Sequence, residues 1–506
     1  MTIEPDAVTS RDVAKGAGTT LLARLGGVID VVAQPLYVLL FGLTGFGLYA
    51  VLWAAINLIE NVADLGMTSA LQRTVPQAKT ERDAVASLRA ALLMGVGPCL
   101  IIAVIISLNA GSLTHVFNAA EADQRHLAQA IGLFIWALPL WAFIEIATSA
   151  LRARRVFGAE VRLRLFWEQI VRMAIAAALW AAGFSTMALF YAHILSLSVI
   201  CILCVRLLAR HYDLKLMTDG PLIDSVWHDT LKAGLSVLPA NVVARLFGDA
   251  PTLALNTLLP GAAGATAGGL FAIARKISSV VQLVRTAFAY VLSPLASQAS
   301  TGSRDSVRDI YGFATRVSFA LAIPLGAVMA AGGPAILRIF GEEALIALPA
   351  LTILIIARIA EAISGAAVPI QQVIAGYKSQ LVGSIVGLGL AVLIGWAIMP
   401  DAGLTGITLA VGIGLVAASA LPLWQLHRYD DIHPFAPPFL GVAARSMGFA
   451  AVGLIVALLI NILPTPVQLP LLIPVLLTTL WCSCRYSLAL DDRQALGKTG
   501  RALRLS

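Results

Sequence analysis

Long apolar runs separated by short polar connections make up most of this chain, and the runs do not alternate with period two. They therefore predict helices rather than barrel strands. A helix that crosses a bilayer needs about 20 mostly apolar residues, and the polar punctuation divides the chain into about fourteen such stretches. Their approximate limits are 18–41, 46–70, 87–109, 127–151, 165–183, 186–208, 230–258, 265–294, 312–333, 344–372, 379–399, 403–426, 441–462 and 468–487. No connection exceeds about 25 residues, which leaves no room for a soluble catalytic domain or a long outer loop. The expected fold is an all-α polytopic membrane protein whose function lies among its helices.

Some polar positions fall where lipid should forbid them. From Gly18 to Ser69, two spans joined by a turn at Gly42–Gly47 carry Arg24, Asp30, Glu60 and Asp64. A charge near the bilayer centre costs roughly 2.5–3.5 kcal/mol on insertion scales, so four in one hairpin call for a protein interior or a watery cavity. The hairpin recurs about 221 residues later, as expected of an internal duplication. Ala244–Asp249 echoes Ala23–Gly27, and Gly269–Ile273 echoes Gly47–Val51. Two copies of one hairpin should face each other.

Helical spacing sorts the buried polar groups into stripes. Asn57, Glu60, Asn61 and Asp64 share a face of the second span. Two carboxylates one turn apart in a low dielectric cannot both ionise cheaply, which suits a proton or sodium coupling site. The alternative is structural pairing with Arg24. Asn241, Arg245 and Asp249 share a face of the seventh span; Arg275, Ser278, Ser279, Gln282, Arg285 and Thr286 form a stripe on the eighth, with Lys276 beside it. The acidic stripe of the first copy is thus neutral in the second, with cations above and below. Arg358 and Glu361 lie three apart in the tenth span, followed by Pro369, Gln371 and Gln372. They could neutralise each other, Glu145 could serve Arg152 on the same face of the fourth span, and Lys276 and Arg285 could snorkel to an interface. A basic interior favours an anion: guanidinium forks fit phosphate oxygens, and a lipid-linked phosphate would keep its tail in the bilayer. A soluble organic anion would satisfy the same charges.

Composition agrees. Of 506 residues, 59% are hydrophobic and 12% charged, against about 25% charged in soluble proteins, and the mean hydropathy is +0.86. Charges within the first sixteen residues, with Arg24 and Asp30 beyond, argue against a cleaved signal peptide. Arg and Lys cluster in alternate connections, including Arg152, Arg154, Arg155, Arg162 and Arg164 after the fourth span, which places both termini in the cytoplasm. The net charge of +7 follows that topology and does not indicate nucleic-acid binding. Cys99, Cys201, Cys204, Cys482 and Cys484 lie in or beside apolar spans and read as small hydrophobes; no metal site, cofactor or catalytic residue is expected.

Leu21–Arg24, Gly45–Ala50 and Ala63–Leu71 resemble the opening two helices of polysaccharide-transporter flippases, within the multidrug, oligosaccharidyl-lipid and polysaccharide exporter superfamily. The resemblance implies a tail (1–17), an N-lobe of six helices (18–210), a linker (211–229), a pseudo-symmetric C-lobe of six (230–427), a loop (428–440), two appended helices (441–487) and a tail (488–506), with a central cavity between the lobes and alternating access in the bacterial cytoplasmic membrane. It also implies a lipid-linked anionic glycan on undecaprenyl diphosphate as substrate, moved to the outer leaflet, with glycosyltransferases or a polymerase as possible partners besides membrane lipids. Arg24 and Arg245 match the family's cationic cavity positions. By helix face alone, Arg275, Lys276, Gln282, Arg285 and Arg358 are further substrate-binding candidates. Asp30, Asn57, Glu60, Asp64, Asn241, Asp249 and Glu361 are ion-coupling or cavity candidates, with H+ or Na+ as the coupling ion. The other readings are a drug or metabolite exporter on the same scaffold, a non-transporting scaffold subunit of an assembly complex, and a membrane glycan polymerase or ligase, which would need the large outer loop this chain lacks.

Overall fold

A computed structural model describes residues 27–156, 158–184, 187–219, 221–300, 304–374, 377–496, 500–501 and 504. Arg24 and the side chain of Asp30 lie outside the described residues. The principal helices are α1 (Gly27–Ala63), α2 (Met67–Gln77), α3 (Glu81–Leu108), α4 (Leu127–Phe134), α5 (Ala137–Ala153), α6 (Glu168–Ala181), α7 (Met187–His211) and α8 (Ser225–Leu258). They continue with α9 (Gly261–Ser300), α10 (Arg304–Ala331), α11 (Leu348–Ser364), α12 (Ala367–Ile374), α13 (Tyr377–Asp430), α14 (Pro437–Ile460), α15 (Thr465–Ser487) and α16 (Leu490–Ala495). The described secondary structure is helical throughout.

Ten helical stretches among the described residues are long and apolar enough to cross a membrane. The predicted spans five and seven are not among them. α6 has only 14 residues, and α8 carries Asp229, Lys232, Arg245 and Asp249 along its length. The stretch 381–430 counts once although α13 is two legs, folded at Gly403 (φ 47°, ψ −121°). α1 is broken in the same way at Gly42 (φ 74°, ψ 165°). Both breaks use backbone conformations that residues with a Cβ rarely adopt. The turn predicted over Gly42–Gly47 therefore contracts to Gly42, and Gly45 and Gly47 already belong to the second leg. That leg ends at Ala63 rather than continuing to residue 70, because the chain breaks at 64–66, with Leu65 at φ 53° and Gly66 at φ 74°, before α2 starts.

The described chain falls into two compact units, within Leu25–Ala272 and within Ile273–Ser506. In the first, α8 packs along α1, α2 and α3, while α5 packs on α2, α3 and α7. The backbones of α1 and α9 touch at Gly47 and Gly269. A Cβ on Gly269 would lie 2.8 Å from Gly47 Cα, and one on Gly47 would collide with the Ala265 carbonyl. These are the two glycines that the sequence sets at matching places in GLYAV and GLFAI. A second close approach joins the break after α1 to α8, where a Cβ on Gly234 would lie 2.5 Å from the Leu65 carbonyl oxygen.

The connection from α7 to α8 is strapped to this unit. Buried Arg89 on α3 donates to the carbonyls of Met217 (3.3 Å), Asp219 (2.9 Å) and Pro221 (2.6 Å). Arg154 lies 3.8 Å over the Tyr212 ring and pairs with Glu81 at 2.6 Å. The Tyr212 hydroxyl donates to Ala150 at 2.8 Å, and burial pushes the phenol up to about 12, so it remains a donor.

In the second unit, α11 packs on α10 and α13, and the appended pair α14 and α15 docks on α10. Val328, Ala331, Ala457 and Leu472 form the core of that docking. Polar ties close it: Ser483 to the Ala320 carbonyl at 2.7 Å, and Arg316 to both oxygens of Asp492 at 2.7 and 2.8 Å.

A side chain at the α1–α9 crossing must separate two backbones. Gly47→Ala or Gly269→Leu should destabilise the protein by about 1–3 kcal/mol. Gly389→Ala, where an added Cβ meets nothing within 4 Å, should be neutral or stabilising by up to about 1 kcal/mol. Thermal unfolding in detergent checks the contrast.

Candidate functional site

Asn57 and Glu60 on the second leg of α1 and Asp64 just beyond its end are 5%, 3% and 6% exposed, and Asn61 is half-buried. Asp64 sits in the break itself. Its Oδ2 accepts from the Thr68 amide at 3.3 Å, while its buried Oδ1 has no hydrogen-bond partner among the described residues. The α3 backbone closes over that oxygen at Gly95, where a Cβ would lie 2.9 Å away. Neither carboxylate has a cation within ion-pair distance among the described residues. Glu60 instead feels four charges at longer range: Glu145, Asp64, Arg245 and Arg164. Arg245 is half-buried and Asp249 buried on α8, and Asn241 reaches Ser69 at 3.5 Å. The structure thus brings Asn57, Glu60, Asp64, Asn241 and Arg245 into one neighbourhood of the first unit.

Glu145 does not serve Arg152. It takes a two-pronged pair from Arg164, at 2.5 and 3.0 Å, and Arg152 goes to Glu160 at 2.9 Å. Arg164 also reaches Glu160 at 3.3 Å and lies 4.6 Å over the Trp141 ring. The cause is the local fold: a π-helical turn, Val161–Trp167, leads into α6 and carries Arg164 to α5. π-turns of this kind are frequent at functional sites. An arginine expected only as a topology marker therefore belongs to the buried network.

A further network was missed entirely in the sequence. Glu168 and Arg172 on α6 and His193 and Ser196 on α7 are all buried. Arg172 donates to the Tyr49 hydroxyl at 2.8 Å and to Gln169, and it pairs with Glu168 at 3.5 Å. Tyr49 and His193 Nδ1 are 2.9 Å apart, Ser196 donates to Glu168 at 3.2 Å, and Gln169 donates to Glu168 at 2.7 Å. The signal was present: an acid and a base four residues apart inside a predicted span share a helix face.

In the second unit, Arg275, Lys276 and Gln282 are half-buried on α9. Arg358 and Glu361 do pair, at 2.5 Å, but Arg285 lies on the same carboxylate at 3.1 Å. Arg285 therefore does not snorkel to an interface. Gln371 is buried and donates to Gln425; the side chain of Gln372 lies outside the described residues. Among the described residues no group of three or more His, Cys, Asp or Glu could hold a metal ion.

Removing one member of the Glu145–Arg164 pair strands a mostly buried charge. Arg164→Gln, which leaves Glu145 without its cation, should destabilise by about 3–5 kcal/mol, whereas Glu60→Gln, which strands nothing, should cost under about 1 kcal/mol. Chemical or thermal unfolding in detergent distinguishes the two.

Residues 40–348 match the model of a family described as polysaccharide biosynthesis protein. A search of curated protein sequences finds no match. Among solved structures, the chain is similar to the lipid II flippase MurJ in an inward closed conformation, with TM-score 0.69 and 13% identity over 91% of this chain and 97% of that one. It is similar to a multidrug resistance MATE family transporter of the MOP superfamily in an inward-facing conformation, with TM-score 0.65 and 15% identity over 81% and 98%. A third likeness is to the Vibrio cholerae MATE transporter VcmN in its bent form, with TM-score 0.58 and 16% identity over 83% and 97%. At these identities the likenesses show the fold, which is that of polytopic transporters and flippases. The family match spans more than half of the sequence, and on that ground the chain belongs to the polysaccharide biosynthesis protein family.

Proposed function

We propose that this protein is a flippase. It carries an oligosaccharide linked to a lipid diphosphate, of the undecaprenyl type, from the cytoplasmic to the outer leaflet of a bacterial cytoplasmic membrane, and it catalyses no covalent step. The observation that carries this reading is the pair Glu60 and Asp64: two buried carboxylates without an ion pair among the described residues, in a membrane-spanning segment of a polysaccharide-synthesis protein. A merely structural charge in lipid is expected to be neutralised by a neighbour. An exchangeable one is left for a proton or sodium ion.

In the cycle, cations capture the diphosphate from the inner leaflet with both termini in the cytoplasm. Arg24, Arg245, Arg275 and Lys276 are the candidates, with Gln282 as a neutral donor. The two copies of the hairpin then part on the opposite side and release the lipid outward. Glu60 or Asp64 takes up H+ or Na+ to reset the state, with Asp30, Asn57, Asn241 and Asp249 supplying the polar surroundings. A ligand shifts such an equilibrium only by its differential affinity for the two states, and a carboxylate that changes access between them provides it. Glycosyltransferases or a polymerase of the same assembly line would supply and consume the substrate. The second reading is a drug or metabolite exporter on the same scaffold, since the fold is also similar to that of a multidrug resistance MATE family transporter.

Reconstituted vesicles carrying a fluorescent short-chain lipid-diphosphate oligosaccharide test this. Wild-type protein should move the lipid to the leaflet where an impermeant quencher reaches it, faster under an imposed proton or sodium gradient. Glu60→Gln with Asp64→Asn should lower the gradient-driven part about tenfold or more while the protein stays folded. Efflux of organic cations without lipid movement would favour the exporter. Neither activity, with loss of surface polysaccharide in cells lacking the protein, would favour a scaffold subunit.

A further inference from the structure

In the second unit one carboxylate is shared by two guanidiniums. Arg358 Nη1 reaches Glu361 Oε2 at 2.5 Å from one turn away on α11, and Arg285 Nε reaches Oε1 at 3.1 Å from α9. Arg358 and Glu361 are 8% and 6% exposed, and the Arg285 side chain is a quarter exposed. Arg285 is also held sterically. Its Cδ lies where a side chain at Gly365 would be, 2.5 Å from an ideal Cβ, and Gly365 ends α11 by donating to the Glu361 carbonyl at 2.8 Å. Among the described residues neither arginine has a second carboxylate, and the buried Nε of each makes no well-directed hydrogen bond.

The group therefore has two fixed cations and one anion in a membrane-spanning bundle. A carboxylate offers two oxygens on one edge and cannot fill two guanidinium forks arriving from different helices. A phosphate ester presents oxygens in three dimensions and can bridge both forks. The residual single positive charge also matches one of the two charges of a diphosphate diester.

We propose that Arg285, Arg358 and Glu361 form an anion-exchange site for a phosphate-ester group. Glu361 is the resident counter-anion of the empty protein, and an incoming phosphate takes over part of its contact with the two arginines. Glu361 is then a competitor of the substrate rather than a coupling carboxylate, and it keeps the guanidiniums from holding the phosphate too tightly to release. The assignment deepens the flippase reading and rests on it for the identity of the phosphate carrier. A lipid-linked diphosphate, a free diphosphate and a phospholipid headgroup share the required chemistry.

The test uses the purified full-length protein in detergent, with thermal unfolding read against three probes: geranyl diphosphate, pyrophosphate and short-chain phosphatidylglycerol. Binding to the folded state raises the unfolding temperature with ligand concentration. Arg285→Gln leaves the neutral Arg358–Glu361 pair, should fold at least as well as wild type, and should bind the probes about tenfold more weakly. Glu361→Gln should unfold at a lower temperature without ligand, bind about tenfold more tightly, and regain its loss when ligand is added. The tightest probe identifies the source: geranyl diphosphate a lipid-linked diphosphate, pyrophosphate a free one, phosphatidylglycerol a headgroup. The proposal is overturned if no probe stabilises the wild type, if Arg285→Gln binds as the wild type does, or if Glu361→Gln weakens binding. Vesicle flipping separates the two claims. Binding through the triad without flipping sinks the flippase reading alone. Flipping with undiminished probe binding in Arg285→Gln sinks the site alone.

Discussion

An ionised side chain inside a membrane-spanning bundle must find an opposite charge or be held ready for one, and this constraint sorts the interior of the protein. Some groups are fully answered. Arg164 and Glu145, Arg152 and Glu160, Arg172 and Glu168, and Arg316 and Asp492 each join two different stretches of the chain or brace one face of a helix. Their worth as net stability is small, because desolvation offsets most of the attraction, but breaking one strands its partner. Other groups are left in excess: Glu60 and Asp64 on the negative side in the first unit, Arg285 with Arg358 on the positive side in the second. An excess of one sign inside a bilayer is costly, and it is on these groups that the proposed ion and anion sites rest.

Backbone irregularity accompanies these groups. Asp64 sits in the break between α1 and α2, Arg164 rides a π-helical turn, and Arg285 rests against the end of α11 at Gly365. In a membrane, non-helical backbone is tolerated where protein or water satisfies its polar groups. The breaks and the charges thus mark the same regions.

Much of the fold was legible in the sequence because apolar run length alone separates spans from loops. The recurrence of GLYAV as GLFAI was legible too, and the structure sets Gly47 against Gly269, the first residue of each. Boundaries failed where a single residue decides them: one glycine conformation at Gly42 or Gly403 cannot be distinguished from a longer turn by composition. Face-sharing placed Glu60, Asp64, Arg358 and Glu361 correctly as buried, but helical spacing says nothing about partners on other helices. Spacing therefore links Glu145 to Arg152 on its own helix rather than to Arg164, and it does not show Arg285 on Glu361. Glu168 and Arg172 lie four apart in the predicted fifth span, but that spacing does not show that Tyr49, His193 and Ser196 converge on them from other helices. Arg89 could not be anticipated, because its partners are carbonyls of a distant connection.

The account depends on water reaching the unpaired carboxylates from alternate sides of the membrane. Replacing the native cysteines, placing a single cysteine by Asn61→Cys beside Glu60, and adding an impermeant thiol reagent to either face of sealed vesicles measures that access. Labelling from both faces, with substrate shifting the balance between them, is the expected result. Protection from both faces under every condition would mean a sealed structural pair, and the transport reading would be wrong.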